Sequence, residues 1–251
     1  MAKITAILFD LGDTIIDFGP FSKTKMFRMG AKLSYNWLKQ TGQKLPSFRS
    51  FFGRQLRMVR LHYFWSSITG REFNSLDLIR SACKRMRLTL SEEQLQQLSW
   101  LWYEPLANQA TIEAGLAGML EGLRRKGYKL GLISNTFVPG EVLDKHLQRE
   151  GLFEFFPARV YSCDVFVRKP NPAIFRLALN ALSVPPEQVV FVGDTLVADV
   201  AGANRMGMIS VLKDPTGKRT SRRIQPAYRI RSILELPAVL AKCDSGYGQS
   251  C

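Results

Sequence analysis

The chain is predicted to fold as a doubly wound parallel α/β domain interrupted near its start by an α-helical bundle, and three observations predict it. Short apolar runs end abruptly on polar residues: Ala6–Phe9 on Asp10, Lys129–Ile133 on Ser134 and Asn135, and Val189–Val192 on Gly193, Asp194 and Thr195. Runs of this kind read as strands buried on both faces, the habit of parallel sheets. Helix-period stretches separate the later runs, as βαβ units require. The alternation stops after the first run and resumes only near Ile112, so the residues between form an insert.

Taken in order, strands are expected near residues 4–9, 128–133, 158–161, 188–192 and 208–212, and core helices near 115–126, 140–149, 172–182 and 197–206. Right-handed crossovers join them. Within the insert, Phe27, Ala31, Tyr35 and Leu38 recur at helix spacing, as do Leu95, Leu98, Trp102 and Leu106. Ser91 followed by Gln94 has the form of a capping box. Pro46 and Gly70 punctuate the segment into about four helices. The expected division is a core of residues 1–17 and 107–251 and a helical cap of residues 18–106. The Gly/Ser-rich end from about Asp244 is expected to fray.

A chain of 251 residues, 46% hydrophobic, buries a large core and accommodates one domain plus a sizeable insert. No apolar stretch approaches the ~18 residues of a membrane span. The N-terminus lacks the basic-then-apolar pattern of a secretory signal, and Cys83, Cys163, Cys243 and Cys251 form no CxxC pair. Reduced thiols in a cytoplasmic protein are expected. The formal charge of +14 is uneven: residues 18–106 carry +10 and residues 213–232 carry +6, leaving −2 for everything else.

In a parallel sheet all strand C-termini lie on one edge, so the polar residues ending the apolar runs converge there. Asp10, Asp194 and Asp199 bring carboxylates, Ser134 a hydroxyl and Asn135 an amide. The basic turn Val167-Arg168-Lys169-Pro170 brings a lysine. This is the equipment of phosphoryl transfer through a metal.

The order Asp10, Ser134, Lys169, Asp194/Asp199, with an insert after the first motif, resembles the haloacid dehalogenase (HAD) superfamily of hydrolases. VVFVGDTLVADVAGANRMGM (189–208) and VRKPNPAIF (167–175) are the nearest matches, and the likeness covers essentially the whole chain. The resemblance implies a HAD-like Rossmannoid core with a helical cap and phosphatase activity through an aspartyl phosphate. It implies Asp10 as nucleophile and Mg2+ held by Asp10, Asp194 and the backbone carbonyl of Gly12. Asp199 is then either a ligand through water or the partner that fixes Lys169. Ser134, with backbone amides around Asn135, binds the phosphoryl group. Lys169 balances the carboxylates, Arg168 stands beside it, and Thr14 braces the first loop.

One departure stands out. Phosphatases of the superfamily usually carry a second Asp two residues after the nucleophile, as general acid, with Gly next. Here DLGDT places Gly12 and Asp13 in swapped order. Loss of such help costs roughly 10²–10⁴ in rate, unless the turn bends Asp13 back to supply it. Dehalogenases and phosphonoacetaldehyde hydrolases of the superfamily also lack that Asp. The first expel halide, and the second use a cap lysine; the cap has no Lys between Lys44 and Lys84, where one is expected, which leaves only a lysine of the first cap helix such as Lys23 or Lys25. They stand as the alternative, as does a catalytically weak phospho-ligand or nucleic-acid binding protein, suggested by the basic cap and the basic Lys218–Arg223 stretch. No RNA-binding motif is visible, so nucleic acid is not the favoured partner; a small anionic phosphorylated substrate is. Arg54, Arg57 and Arg60 recur every third residue. They read either as an anion clamp over the site or as a solvated basic face.

Overall fold

The computed structural model describes residues 3–245, so most of the Gly/Ser-rich end lies outside the described residues. Six parallel strands form one sheet in the order β3-β2-β1-β4-β5-β6. They are β1 (Ala6–Phe9), β2 (Lys129–Ser134), β3 (Ala158–Tyr161), β4 (Val189–Gly193), β5 (Ile209–Lys213) and β6 (Tyr228–Ile230). All five expected strands are present. The sixth, only three residues long, has too little apolar sequence to announce itself. The sheet reverses direction of growth between β1 and β4, the switch point at which ligands of such sheets bind.

Every β1 residue is buried because the sheet is covered on both sides. Ile7 and Phe9 face one layer with α5 (Leu116–Arg125) and α6 (Gly140–Arg149), whereas Ala6 and Leu8 face the other with α7 (Pro172–Leu182). The period-2 alternation of strand side chains divides the two. Register aligns the functional edge: Phe9 pairs with Leu132 on one side and Val192 on the other. Asp10, Ser134 and Asp194 therefore emerge within a residue or two of one another along neighbouring strands.

Between β1 and α5 stand α1 (Lys23–Gln40), α2 (Phe48–Thr69), α3 (Ser75–Arg85) and α4 (Glu92–Gln109). Their boundaries follow local chemistry. The Ser91–Gln94 capping box opens α4 with both reciprocal bonds, and Gly70 closes α2 in the left-handed conformation a glycine adopts without strain. Ala31, Leu38, Phe51, Ile79, Leu95 and Leu98 build a core of the insert's own. The linkers meet where Asp17 and Thr111 exchange backbone hydrogen bonds of 2.9 and 2.8 Å. α4 thus runs past the expected boundary at 107, because its second half (Trp100, Tyr103, Ala107) packs into the main core.

At Gly30 the backbones of α1 and α4 come close: a Cβ there would lie 2.4 Å from the Trp102 carbonyl oxygen. Gly30→Ala is expected to destabilise the protein by about 1–3 kcal/mol through overpacking, measured as a lower midpoint in urea. An unchanged midpoint would contradict this packing.

Candidate active site

The site is organised around one buried ammonium. Lys169, only 3% exposed, places Nζ 2.5 Å from Asp10 Oδ1, 2.7 Å from Asp199 Oδ1 and 2.8 Å from the Ile133 carbonyl oxygen. Asn135 fixes the lysine's backbone from both ends: its Oδ1 accepts from Lys169 N at 2.7 Å and its Nδ2 donates to Lys169 O at 2.9 Å. The Asn135 side chain is therefore committed to holding Lys169, a role separate from that of the backbone amides expected at the phosphoryl group.

Asp10 sits at the end of β1, its N–H donating to the Val192 carbonyl at 2.8 Å. Its Oδ2 accepts only a long 3.5 Å contact from Thr14 Oγ1. Asp199 has both oxygens engaged: Oδ1 faces Lys169, and Oδ2 accepts from Thr195 N at 2.8 Å and Thr195 Oγ1 at 2.5 Å. Of its two expected roles, this arrangement matches the partner that fixes Lys169. Gly193 leaves room for it, since a Cβ there would fall 2.4 Å from the Asp199 carboxyl carbon. Ser134 ends β2 buried, and its hydroxyl has no hydrogen-bond partner among the described residues.

Asp10, Asp194 and Asp199 offer oxygens within 4.8 Å of one another. Burial raises Asp10 to about 7, with the Asp199 charge adding to it and Lys169 opposing. Burial and then Asp199 raise Asp194 to about 6, against the pull of Arg219. Burial works against the charge on Lys169, but Asp10 and Asp199 outweigh it and hold the ammonium above the ordinary lysine range. Three carboxylates thus face two cations, Lys169 and Arg219, in a buried space. That surplus of hard oxygen suits a small divalent cation. Asp194 Oδ1 and the Gly12 carbonyl carry no short bond within the described residues and are free to hold one beside Asp10.

Other expected residues are placed elsewhere. Arg168 turns from the carboxylates to the insert, donating to Ser66 Oγ at 3.2 Å and standing 3.8 Å from Glu72. Glu72 is buried and also accepts from Ser66 and Ser162. Together with the Ser75–Phe137 backbone bond and the stacked Phe73 and Phe137 rings, this pins the insert to the core beside Lys169. Asp13 is exposed with φ +55°, and its Oδ1 accepts from Phe18 N at 3.1 Å, so that oxygen belongs to the loop. Arg54 and Arg57 are exposed on α2, 12 and 9 residues before Ser66. That is roughly 18 and 14 Å along the helix, and the structure does not join them to the carboxylates. Lys23 and Lys25 are exposed at the start of α1.

Two groups were missed. Arg219, from the basic loop after β5, lies 2.9 Å from Asp194 Oδ2 and also donates to the Asp194 carbonyl. Asp214 orders that loop by accepting from Gly217 N and Arg219 N. Lys213, buried at the end of β5, donates to Thr14 O at 3.0 Å and Asp17 Oδ1 at 2.9 Å, bracing the first loop. The charge of the 213–232 segment was the available signal, but composition does not say which cation turns inward.

A lysine-bridged carboxylate set at the switch point of a doubly wound sheet, under a helical insert, defines a hydrolase of the carboxylate-centred α/β class. Comparison with known proteins supplies the family: the chain matches the description haloacid dehalogenase-like hydrolase over residues 4–207 and belongs to it. It is 37% identical to a glyceraldehyde 3-phosphate phosphatase of Pyrococcus abyssi, with 83% of this chain and 80% of that one covered. It is 24% identical to the human N-acylneuraminate-9-phosphatase, covering 97% and 96%. Among solved structures, a HAD phosphatase from Thermococcus onnurineus matches with a TM-score of 0.60 at 28% identity, covering 94% and 98%. A 2-haloacid dehalogenase from Pseudomonas syringae pv. Tomato DC3000 shares the fold with a TM-score of 0.66 at 24% identity, covering 96% and 99%.

Raised carboxylate pKa values carry a sign. Asp194 holds its proton in the fold to a higher pH than in the unfolded chain, so its stabilising share is lost as pH rises through about 6. Asp194→Asn is therefore expected to raise the thermal midpoint of the metal-free protein more at pH 8 than at pH 5. A larger gain at pH 5 would contradict the crowding of charge described here.

Proposed function

We propose that the protein is a Mg2+-dependent phosphatase of small phosphorylated substrates, working through a phosphoryl group carried on Asp10. The carrying observation is the Lys169 ammonium shared by Asp10 and Asp199, which holds one Asp10 oxygen and leaves the other, Oδ2, directed away from any strong partner. Oδ2 attacks phosphorus as the bond to the leaving oxygen breaks, and water then attacks the same phosphorus to release phosphate and restore the carboxylate. The Ser134 hydroxyl, without a hydrogen-bond partner among the described residues, donates to a phosphoryl oxygen, and Lys169 balances charge as it builds. Asp10, Asp194 and the Gly12 carbonyl would hold Mg2+, which when bound offsets the negative charge shared by carboxylates and phosphate. The helical insert serves as the cap, pinned at Glu72 and Arg168. The named relatives make glyceraldehyde 3-phosphate and a sugar-acid phosphate the first substrates to try.

Gly12 gives this phosphatase its character. With no carboxyl there and Asp13 held by Phe18, protonation of the leaving oxygen goes unaided. Turnover is then expected to favour good leaving groups, with acetyl phosphate and p-nitrophenyl phosphate hydrolysed faster than glyceraldehyde 3-phosphate. A Cβ at Gly12 would meet only the Phe18 ring, at 3.4 Å. Gly12→Asp is accordingly expected to raise turnover of the sugar phosphate by about 10²-fold or more, with little change for acetyl phosphate. Asp10→Asn should abolish release from all three. Phosphate release that survives Asp10→Asn would sink the reading.

A further inference from the structure

α2 carries a feature the chemistry above does not use. At 100° per residue, Gln55 and Ser66 mark the side turned to the protein. Leu61, Phe64, Trp65 and Ile68 fall on the opposite side and are 54, 56, 60 and 61% exposed. Arg54, Arg57 and Arg60 continue the same outward side toward the start of the helix, so one face is basic in its first half and apolar in its second. A run of four large exposed apolar side chains on one face marks an interaction site. The surrounding charge is one-sided. From Phe18 to Arg71 the chain has eleven Lys and Arg and not one Asp or Glu.

We propose that the outward face of α2 docks the protein onto an anionic lipid bilayer. Leu61, Phe64, Trp65 and Ile68 enter the boundary between headgroups and acyl chains, while Arg54, Arg57 and Arg60 lie along anionic headgroups. Trp, Phe and Leu beside a row of basic residues are the pattern of interfacial helices, and the acid-free stretch complements the potential of such a surface. A second copy fits poorly, since an antiparallel two-fold contact would lay the arginines of each helix on the apolar half of the other, and a parallel one would set arginines against arginines. Nucleic acid fits poorly too: bases could stack on Phe64 and Trp65, but the aliphatic Leu61 and Ile68 would stay in water. The last turn of α2 reaches Arg168, beside Lys169, so docking would hold the catalytic edge near the membrane. The proposal stands whether or not the phosphatase reading does.

The test is co-sedimentation of the full chain with vesicles of phosphatidylcholine alone and of phosphatidylcholine mixed with an equal amount of phosphatidylglycerol. Binding is expected to the mixed vesicles only, with a blue shift of Trp emission that Trp65→Phe removes. The double change Phe64→Ser with Trp65→Ser should abolish binding while leaving the thermal midpoint and hydrolysis of acetyl phosphate as in wild type. Each Arg→Gln change at 54, 57 or 60 should weaken binding about fivefold. No binding to mixed vesicles overturns the proposal, as does binding indifferent to the Phe64/Trp65 change. A dimer seen by light scattering and lost in that variant, without vesicle binding, overturns it in favour of self-association. Salt-dependent RNA binding without vesicle binding does so in favour of nucleic acid.

Discussion

Everything at this site depends on one cation buried between two carboxylates. Taking Lys169 out of water is tolerable only because Asp10 and Asp199 lie 2.5 and 2.7 Å away and a backbone carbonyl takes a further N–H. Removing any partner would leave an uncompensated charge inside the protein, so the three groups stabilise each other's positions. In the proposed reaction the same constraint would perform the chemistry. An ammonium on one oxygen of Asp10 would orient the other and accept the charge that a phosphoryl group brings.

The surrounding fold serves that triad at each level. Parallel register brings β1 and β4 to the same height at the switch point, so Asp10 and Asp194 emerge side by side. Gly193 admits the Asp199 carboxyl against the strand, where a methyl group would collide with it. Asn135 holds the lysine's backbone, and Lys213 ties the first loop to β5 through Thr14 and Asp17. The insert is fastened by Glu72 and Arg168 on one side and by the Asp17–Thr111 backbone pair on the other. Among the described residues no helix is long and apolar enough to cross a membrane.

Much of this was legible in the sequence, and the reason is physical. Strands buried on both faces write themselves as apolar runs, so β1 to β5 and the residues that end them could be read directly. The helical insert showed through its spacing and its Ser91 capping box. What could not be read were contacts between residues distant along the chain. Arg168 looked like a site residue because it precedes Lys169, yet consecutive residues of extended chain face opposite ways, and it pairs with Ser66 instead. Arg219 was one of seven cations in the 213–232 segment, and it is the contact of its backbone with Asp214 that turns it toward Asp194. Asn135 was expected to contribute through backbone amides, and nothing local says that its side chain holds the backbone of a neighbouring loop. Arg54 and Arg57 were set correctly on one helix face, but periodicity does not say what that face looks toward.

The most direct test of the account is to trap the phosphoryl group on Asp10. Rapid mixing with acetyl phosphate and Mg2+, quenching, and borohydride reduction convert an aspartyl phosphate to homoserine, which peptide mass spectrometry locates. The account predicts homoserine at position 10, dependent on substrate. Steady turnover with unmodified Asp10, or reduction at another carboxylate, would contradict it.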